Sequence, residues 1–296
     1  MKIAITGATG LVGQALANYF SQAGNQVSVL SRKKSPTVVY WNPVTGDLDR
    51  NQLEGMDVII HLAGANVAER RWSKSYKKII RDSRVNPTRF LVDNIRLLKQ
   101  KPKLFISASA VGFYGSSLMK DYKDERSSRG MGFLADVCEE WEEETKALVE
   151  MKIRVVQLRL GMVLSKKGGA LAKMLPVFKM GLGGKLGKGH QPISWVSIDE
   201  IPTIVDFIIQ HDSMYGPVNV VAPEVVTNED FSHTLCSVLH RPTTSRVPAF
   251  MIKFLLGEMG EELLLNGVNV FPNTLVKNGY EFRFPHLKEA LINILK

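Results

Sequence analysis

Met1-Lys-Ile-Ala-Ile-Thr-Gly-Ala-Thr-Gly-Leu-Val-Gly13 decides the fold of this chain. Ile3 to Ile5 is a short apolar run and reads as a buried strand. Gly7-Ala-Thr-Gly10 breaks it, and from Leu11 to Ala23 apolar residues recur at helical spacing. A glycine-rich turn between a strand and a helix suits a pyrophosphate. Gly7 permits the tight turn, Gly10 lets the backbone come near the phosphates, and Gly13 lets the helix lie close on the strand. The first N–H groups of the helix and its positive dipole end then face the anion. The strand–turn–helix context makes the pattern specific, where glycines alone would not be.

Working outward, strand and helix alternate through the first half. Strands are expected at Lys2–Thr6, Gln26–Leu30, Val58–Leu62, Lys103–Ser107 and Arg154–Arg159, with an extended piece at Val38–Trp41. Helices are expected at Leu11–Ala23, from about Ser73 to Arg81, from Pro87 to Lys99, and from Phe133 to Glu150. Parallel strands need crossover helices, so this succession predicts an α/β fold with a doubly wound parallel sheet. After Gly161 the character changes. Gly168-Gly169 and the basic, glycine-dense stretch Gly181–Gly189 read as a flexible loop, followed by a strand at Ile193–Ile198, a helix from Asp199 to Gln210 with Asp199 as its cap, and a strand at Val218–Val221. Thr227, with Asp230 three residues on, opens a helix as a variant capping box, and the tail from Arg241 is mostly helical. Residues 1–165 are expected to form the dinucleotide-binding domain, with 191–221 contributing to it or to the cleft. Residues 166–296 form a smaller, mixed and mostly helical substrate portion.

The chain has 296 residues, 45% hydrophobic and 23% charged, which suits a globular protein with a substantial core. Cys138 and Cys236 lie far apart, which excludes a disulfide scaffold and a Cys-x-x-Cys metal site and fits a reducing cytoplasm. No apolar stretch approaches about 18 residues, the length that spans a membrane, and the opening strand leaves no room for a signal peptide. The net charge of +9 could serve nucleic acid or a basic cleft for phosphate-bearing ligands. The cations are scattered and no recognition motif accompanies them, which favours the cleft. No metal is expected, since the six histidines show no ligand spacing.

The end of the second strand, Ser31-Arg32-Lys33-Lys34, lies beside the adenosine ribose in a dinucleotide fold. It carries no carboxylate for the ribose hydroxyls, and a serine hydroxyl with a guanidinium suits a 2′-phosphate, hence NADP(H). The alternative is a solvated basic turn. The small residues of His61-Leu62-Ala63-Gly64-Ala65 let the backbone touch adenine and ribose, and His61 reads as a core histidine inside an apolar strand.

These pieces resemble the extended short-chain dehydrogenase/reductase superfamily. The resemblance is carried by Gly7-x-x-Gly10-x-x-Gly13, Asp57-Val-Ile-Ile-His-Leu-Ala-Gly64 and Ser107-Ala-Ser-Ala-Val-Gly-Phe-Tyr-Gly115. It is closer to the atypical "epimerase family" subgroup through Arg70-Arg-Trp-Ser73, Asp82-Ser-Arg84, Phe133–Glu142, Leu160-Gly-Met-Val-Leu164 and Met174-Leu-Pro-Val-Phe178. Gly181-Leu-Gly-Gly184, His190-Gln-Pro-Ile-Ser-Trp195 and the stretch 241–291 extend it over essentially the whole chain. The resemblance implies a Rossmann domain holding NADP(H) below a substrate cleft. It places Thr9, Gly10, Leu11 and Val12 at the pyrophosphate, Ser31 and Arg32 at the 2′-phosphate, Leu62 and Ala63 along the adenosine, and Val163 near the nicotinamide. Arg84 either approaches the cofactor or is an exposed helix charge.

Members of the superfamily use a Ser with Tyr-x-x-x-Lys. The Tyr moves a proton at the substrate oxygen, and the Lys lowers the Tyr pKa and holds the ribose. Here Ser109 matches the Ser, with Ser107 as a second candidate, but Phe133-Leu-Ala-Asp-Val137 stands where the Tyr and Lys belong, and neither Phe nor Val can replace them. Tyr114 is the substitute acid/base candidate, or packs near the substrate. Asp121, Asp124 and Glu125 read as solvated loop carboxylates, and Glu139, Glu140, Glu142, Glu143 and Glu144 as a solvated helix face. Cys138 reads as a packing residue. Lys185, Gln191 and Trp195 are candidate substrate contacts, with a mobile surface loop as the alternative. Three functions follow: an oxidoreductase or epimerase acting on a sugar-nucleotide-like or small carbonyl substrate, a non-catalytic NADP(H) sensor, and a nucleic-acid-binding protein resting on charge alone. A small-molecule substrate and an oligomer fit the first; a membrane partner fits none.

Overall fold

A computed structural model describes every residue except Lys34, Pro36, Thr37 and Thr244, so Lys34 of the basic turn lies outside the described residues. Strand β1 (Lys2–Thr6), helix α1 (Leu11–Gln22) and strand β2 (Gln26–Ser31) make the first βαβ unit. β3 (Val38–Asn42) and the two-residue β4 (Asp47–Leu48) extend the sheet beyond β2. β5 (Val58–His61) returns to the other side of β1, and α2 (Lys74–Arg96), β6 (Leu104–Ala110), α3 (Phe133–Glu143), α4 (Lys146–Glu150) and β7 (Arg154–Leu160) follow. The chain then leaves the sheet through β8 (Met162–Leu164), α5 (Gly169–Lys179), β9 (Gly184–Leu186), β10 (Pro192–Ile193) and β11 (Trp195–Ser197). It re-enters by α6 (Ile201–Gln210) and β12 (Gly216–Val220).

The sheet order is β12-β7-β6-β5-β1-β2-β3-β4, parallel throughout except for β4. Successive strands run outward one way from β1 to β3 and the other way from β5 to β12. The order therefore reverses between β1 and β5, which places the glycine turn at the switch point where such sheets hold ligands. Alternate residues bury on opposite faces. Ile3, Ile5, Ile60 and Ile106 meet Leu16 and Phe20 of α1 and Ile204 and Ile208 of α6. Ala4, Ile59 and Phe105 meet Leu91, Val92 and Ile95 of α2 and Leu148 of α4. This two-sided burial explains why the strands read as continuous apolar runs.

The third layer joins α5 to β13 (Val226–Thr227), α7 (Asn228–Val238) and the C-terminal elements: β14 (Ser245–Val247), α8 (Ala249–Leu256), α9 (Glu258–Gly260), α10 (Asn273–Lys277) and α11 (Leu287–Leu295). A π-type turn, Glu261–Leu265, follows α9. The capping box at α7 is formed, with Thr227 and Asp230 exchanging side-chain-to-backbone bonds.

Several expectations are corrected. α2 is one helix across Pro87, not two, because proline forfeits only its own N–H while Val85, Leu91 and Ile95 on both sides bury the same face. The long acidic helix breaks at Thr145, a buried residue whose hydroxyl donates to the Glu142 carbonyl and accepts from Gln157 of β7. The strand expected at 193–198 is two short strands. Gly184–Leu186 of the glycine-dense stretch is a strand, paired in parallel with β14. Asp199 does not cap α6. Its carboxylate accepts from Asn293, and Glu200 holds the cap position.

Glu200 instead anchors the tail. Its buried carboxylate accepts from Tyr280 Oη at 2.6 Å, Arg283 N at 3.1 Å and Phe284 N at 2.9 Å. Glu200→Ala strands these donors and is expected to cost about 3 kcal/mol in urea denaturation, with the 280–284 segment becoming the first site of limited proteolysis. An unchanged midpoint would show that the tail is held by other contacts.

Candidate functional site

The glycine turn is shaped by contacts that a side chain would destroy. Gly7 has φ +69°, and a Cβ there would stand 2.8 Å from the carbonyl carbon of Leu62. A Cβ on Gly13 would collide with the Gly7 carbonyl oxygen and stand 2.7 Å from the Ala8 Cα. Gly10 N–H donates to the Gly7 carbonyl at 2.9 Å, Gln14 Nε2 donates to the Thr9 carbonyl, and no side chain caps α1 at Gly10. The helix terminus is thus left for an external acceptor. Leu11 faces Gly168 and Gly169 at the start of α5, and Val12, Leu62 and Val163 pack on the same core. At the end of β2, Ser31 Oγ accepts from Lys33 N, while Arg32 is exposed and has no partner among the described residues. The donor set fits a dinucleotide carrying a 2′-phosphate.

The segment after β5 is pinned along its length. Thr6 Oγ1 accepts from Leu62 N at 3.1 Å and lies 2.8 Å from His61 Nδ1. His61 Nε2 lies 3.0 Å from Thr88 Oγ1, which itself donates to the Arg84 carbonyl and accepts from Trp141 Nε1. With the Thr88 proton committed to that carbonyl, His61 donates through Nε2 and accepts from Thr6 through Nδ1. The ring is neutral, burial pushing its pKa down to about 3. Ala65 N donates to Ser83 Oγ, and the Ala65 carbonyl accepts from Arg84 Nη2 at 3.0 Å. Gly64 is exposed between these anchors, with the Arg84 guanidinium beside it.

Ser109 and Tyr114 meet around a buried ion pair. Arg159 of β7 binds Glu142 of α3 bidentately, Nε to Oε1 at 2.9 Å and Nη2 to Oε2 at 2.7 Å. Ser109 Oγ donates to the same Oε1 at 2.6 Å. Arg159 Nη1 donates to Tyr114 Oη at 2.9 Å, and Tyr114 Oη donates to Asn219 Oδ1 at 2.7 Å. Asn219 passes the network on to the Phe271 carbonyl and, through its N–H, to Glu125. Both hydroxyls are about 2% exposed, and burial pushes the Tyr114 phenol up to about 12. In this arrangement Ser109 donates its hydroxyl proton to Glu142 and Tyr114 donates its own to Asn219.

Glu142 is corrected from the solvated face to the network's centre, and Glu125 from the solvated loop to a largely buried carboxylate accepting from Asn219 N and Thr274 N. Of the remaining carboxylates, Glu139 pairs with Arg129, Glu140 with Arg81, Glu143 with Lys146 and Glu144 with Arg89.

At the degenerate motif, Phe133 packs edge-on to Trp72 with ring centroids 5.2 Å apart, and Lys77 Nζ lies 4.4 Å over its ring. Val137 is buried. The Glu262 carboxylate lies over Gly132, and burial together with Glu258 and Glu261 raises its pKa. No sequence pattern singled out Glu262, Arg159 or Asn219. The three substrate candidates do not converge. Lys185 is paired with Glu229 at 2.6 Å, Gln191 Nε2 donates to the Leu186 and Leu264 carbonyls, and Trp195 is wholly buried among α5, α7 and α11. Trp195 is therefore a core residue. Among the described residues no group of His, Cys, Asp and Glu could hold a metal ion, and no helix is long and apolar enough to cross a membrane.

The NAD dependent epimerase/dehydratase family model matches residues 3–221, and the chain belongs to that family. A second model, a domain of unknown function (DUF1731), matches residues 247–294. The chain is 36% identical over 291 residues to "Epimerase family protein ML0860" of Mycobacterium leprae, covering 98% of this chain and 94% of the relative. The crystal structure of human epimerase family protein SDR39U1 (isoform 2) with NADPH superposes with a TM-score of 0.89 at 29% identity, over 99% of each chain. The nucleoside-diphosphate sugar epimerase of Corynebacterium glutamicum gives 0.81 at 34% identity, over 100% of this chain and 58% of that one.

Two measurements check this geometry. Glu142→Ala leaves Arg159 buried without its counter-charge and is expected to cost about 3–5 kcal/mol. Tyr114→Phe removes one donor and is expected to cost about 1–2 kcal/mol while leaving NADPH affinity unchanged; a large affinity loss at full stability would return Tyr114 to the cleft. The second concerns pH. Above the ordinary histidine value of 6.5 both folded and unfolded chains hold His61 neutral. Below it the unfolded chain takes up a proton that the folded one refuses until about pH 3. Stability should therefore fall with decreasing pH by up to about 1.4 kcal/mol per unit. Urea midpoints at pH 7.5 and pH 5 should differ less in His61→Gln than in the wild type.

Proposed function

We propose that this chain binds NADP(H) at the Gly7–Gly13 turn and acts as an oxidoreductase or epimerase on a sugar-nucleotide-like or small carbonyl substrate. The observation that carries the cofactor reading is the exposed Arg32 beside Ser31, without a partner among the described residues, at the end of the strand next to an uncapped glycine turn. A 2′-phosphate would receive charge-assisted hydrogen bonds there, where an adenosine lacking it would meet an uncompensated guanidinium. The NADPH in the human relative's crystal structure supports the same reading. When bound, a reduced nicotinamide supplies hydride to a carbonyl carbon, or its oxidised form accepts one.

The protein's own part is to hold the adenosine along Leu62, Ala63 and Gly64, to face the pyrophosphate with Thr9–Val12, and to close the nicotinamide end with Val163. It does this without the Tyr and Lys of the superfamily. Lys77 and Glu262 are titratable groups beside Phe133, the position where the hydroxyl would stand. A second reading, a non-catalytic NADP(H) sensor, is favoured by the inward donation of the Ser109 and Tyr114 protons. The buried free thiols Cys138 and Cys236 fit a reducing, cytoplasmic setting.

Fluorescence titration with NADPH and NADH tests the cofactor. Wild type should prefer NADPH, and Arg32→Glu should lose roughly 10- to 100-fold in NADPH affinity, the effect of one or two charge-assisted bonds, with NADH little changed. Equal loss for both would remove the 2′-phosphate assignment. NADPH consumption against a panel of aldehydes, ketones and nucleotide sugars separates enzyme from sensor. Tight binding without turnover would favour the sensor.

A further inference from the structure

We propose that Glu262, on the π-type turn of the C-terminal portion, is the acid that gives a proton to the substrate oxygen, in place of the hydroxyl that Phe133 lacks. The proposal rests on the enzyme reading above and deepens it. Four observations carry it.

First, Glu262 reaches the ligand end of the sheet. The glycine turn hangs from the carboxyl end of β1, and the same end of β6, two strands away, leads through Val111–Tyr114 toward α3. The start of α3 folds back on that segment. Gly130 N donates to the Phe113 carbonyl at 2.9 Å, and a Cβ on Gly112 would lie 3.2 Å from Leu134 Cβ. Open parallel sheets bind their ligands at this end. A Cβ on Gly132, at the N-terminus of α3, would stand 3.3 Å from Glu262 Oε1 and 3.6 Å from Oε2, so the carboxyl lies against the residue before Phe133.

Second, its neighbours are engaged and it is not. Glu258 pairs with Lys77 at 2.7 Å and Glu261 with Lys253 at 2.6 Å, whereas Glu262 makes no hydrogen bond or ion pair among the described residues. Third, the turn aims it. Asn266 N donates to the Glu261 carbonyl at 2.8 Å, a reach of five residues where an α-turn spans four. The adjacent Glu261 and Glu262 then face different elements, α8 and α3. Such π-type turns recur at functional sites.

Fourth, the surroundings keep a proton on it. Phe133 and Leu263, which flank the carboxyl, belong to the apolar cluster of Trp72 and Met259. Burial there and the charges of Glu258 and Glu261 raise its pKa, and Lys77 of α2 opposes them. On α3, Asp136 is neutralised by Arg129. A carboxyl raised in this way holds its proton nearer to neutral pH and can pass it on. In the reductive direction Glu262 gives that proton to the carbonyl oxygen, while the carbonyl carbon takes hydride from the reduced nicotinamide and the C=O pair moves to oxygen. An alcohol, the oxidised nicotinamide and a carboxylate result, and the carboxylate recovers its proton from water.

The test uses the full chain, NADPH and para-nitrobenzaldehyde as the probe carbonyl. Glu262→Gln keeps the size and polarity of the side chain without its acid. It is expected to bind NADPH like wild type in fluorescence titration, to melt no lower than wild type, and to lose about 100-fold or more in kcat. Glu262→Asp should recover part of that loss. In wild type kcat should fall as pH rises through the raised carboxyl pKa. Lys77→Met, which removes the opposing cation, should move that fall to higher pH, and Glu262→Gln should abolish it. Carbon-13 carboxyl NMR of the protein alone gives a readout independent of turnover: one resonance titrating above the ordinary glutamate value of 4.5 should be present in wild type and missing in Glu262→Gln. Undiminished turnover in Glu262→Gln, an unchanged pH profile or absence of that resonance would overturn the acid role. A loss of NADPH affinity as large as the loss of turnover would overturn it too, making Glu262 a binding residue. So would a wild type that binds NADPH and leaves the probe unreduced, the outcome that favours the sensor. Failure of wild type to bind NADPH would instead sink the cofactor reading, and this proposal with it.

Discussion

One carboxylate, Glu142, ties together more of this protein than any other polar group described above. It receives two bonds from Arg159 and one from Ser109, so it couples α3 to β6 and β7. Through Tyr114 and Asn219 the same network reaches β12, and through Phe271, Glu125 and Thr274 it reaches the segment before α10. Desolvating such a pair brings little net stability, but leaving any member unpartnered is expensive, so alternative packings of these elements are disfavoured. The same arrangement turns the Ser109 and Tyr114 hydroxyls toward Glu142 and Asn219.

The cofactor side is built on the opposite logic. Around Gly7, Gly13 and Gly64 the backbone comes close to itself or stays open because no side chain intervenes. The polar groups of Thr6, His61, Ser83 and Thr88 face inward to hold the 62–65 segment still. Backbone rigidity there comes from neutral hydrogen bonds, and among the described residues Arg32 and Arg84 have no carboxylate partner. The site is thereby shaped before anything occupies it.

The glycine turn, the parallel strands and the capping box of α7 were legible because each depends on neighbours in sequence. The buried network was not, because its contacts span 17 to 149 residues and its members look ordinary one at a time. Glu142 sits in a run of glutamates whose others pair with cations at the surface, and only the fold distinguishes it. Trp195 misled for a related reason: a tryptophan in a glycine-rich, basic stretch suggests a ring platform, yet that stretch folds inward against α5 and α7. Pro87 misled because a rule about single residues met a helix long enough to absorb the lost bond. The departure at Phe133 and Val137 was plain in the sequence. The charges near them were not, since Lys77 over Phe133 and Arg84 beside Trp141 come from another helix.

That other helix has a mechanical consequence. α2 is 23 residues long, about 34 Å at the usual rise. Beside its first turn, Trp72 and Tyr76 touch Met259, Leu256 and Leu263 of the C-terminal portion. Three turns on, Arg84 bonds the Ala65 carbonyl and Thr88 is buried against His61 and Trp141, and at its end Leu91 and Ile95 sink into the sheet. Tyr76, Ile80, Val85, Leu91 and Ile95 are buried in turn, so the helix is held along its whole length. One continuous helix therefore joins the packing of the C-terminal portion to the segment after β5, so the two cannot be moved independently of it.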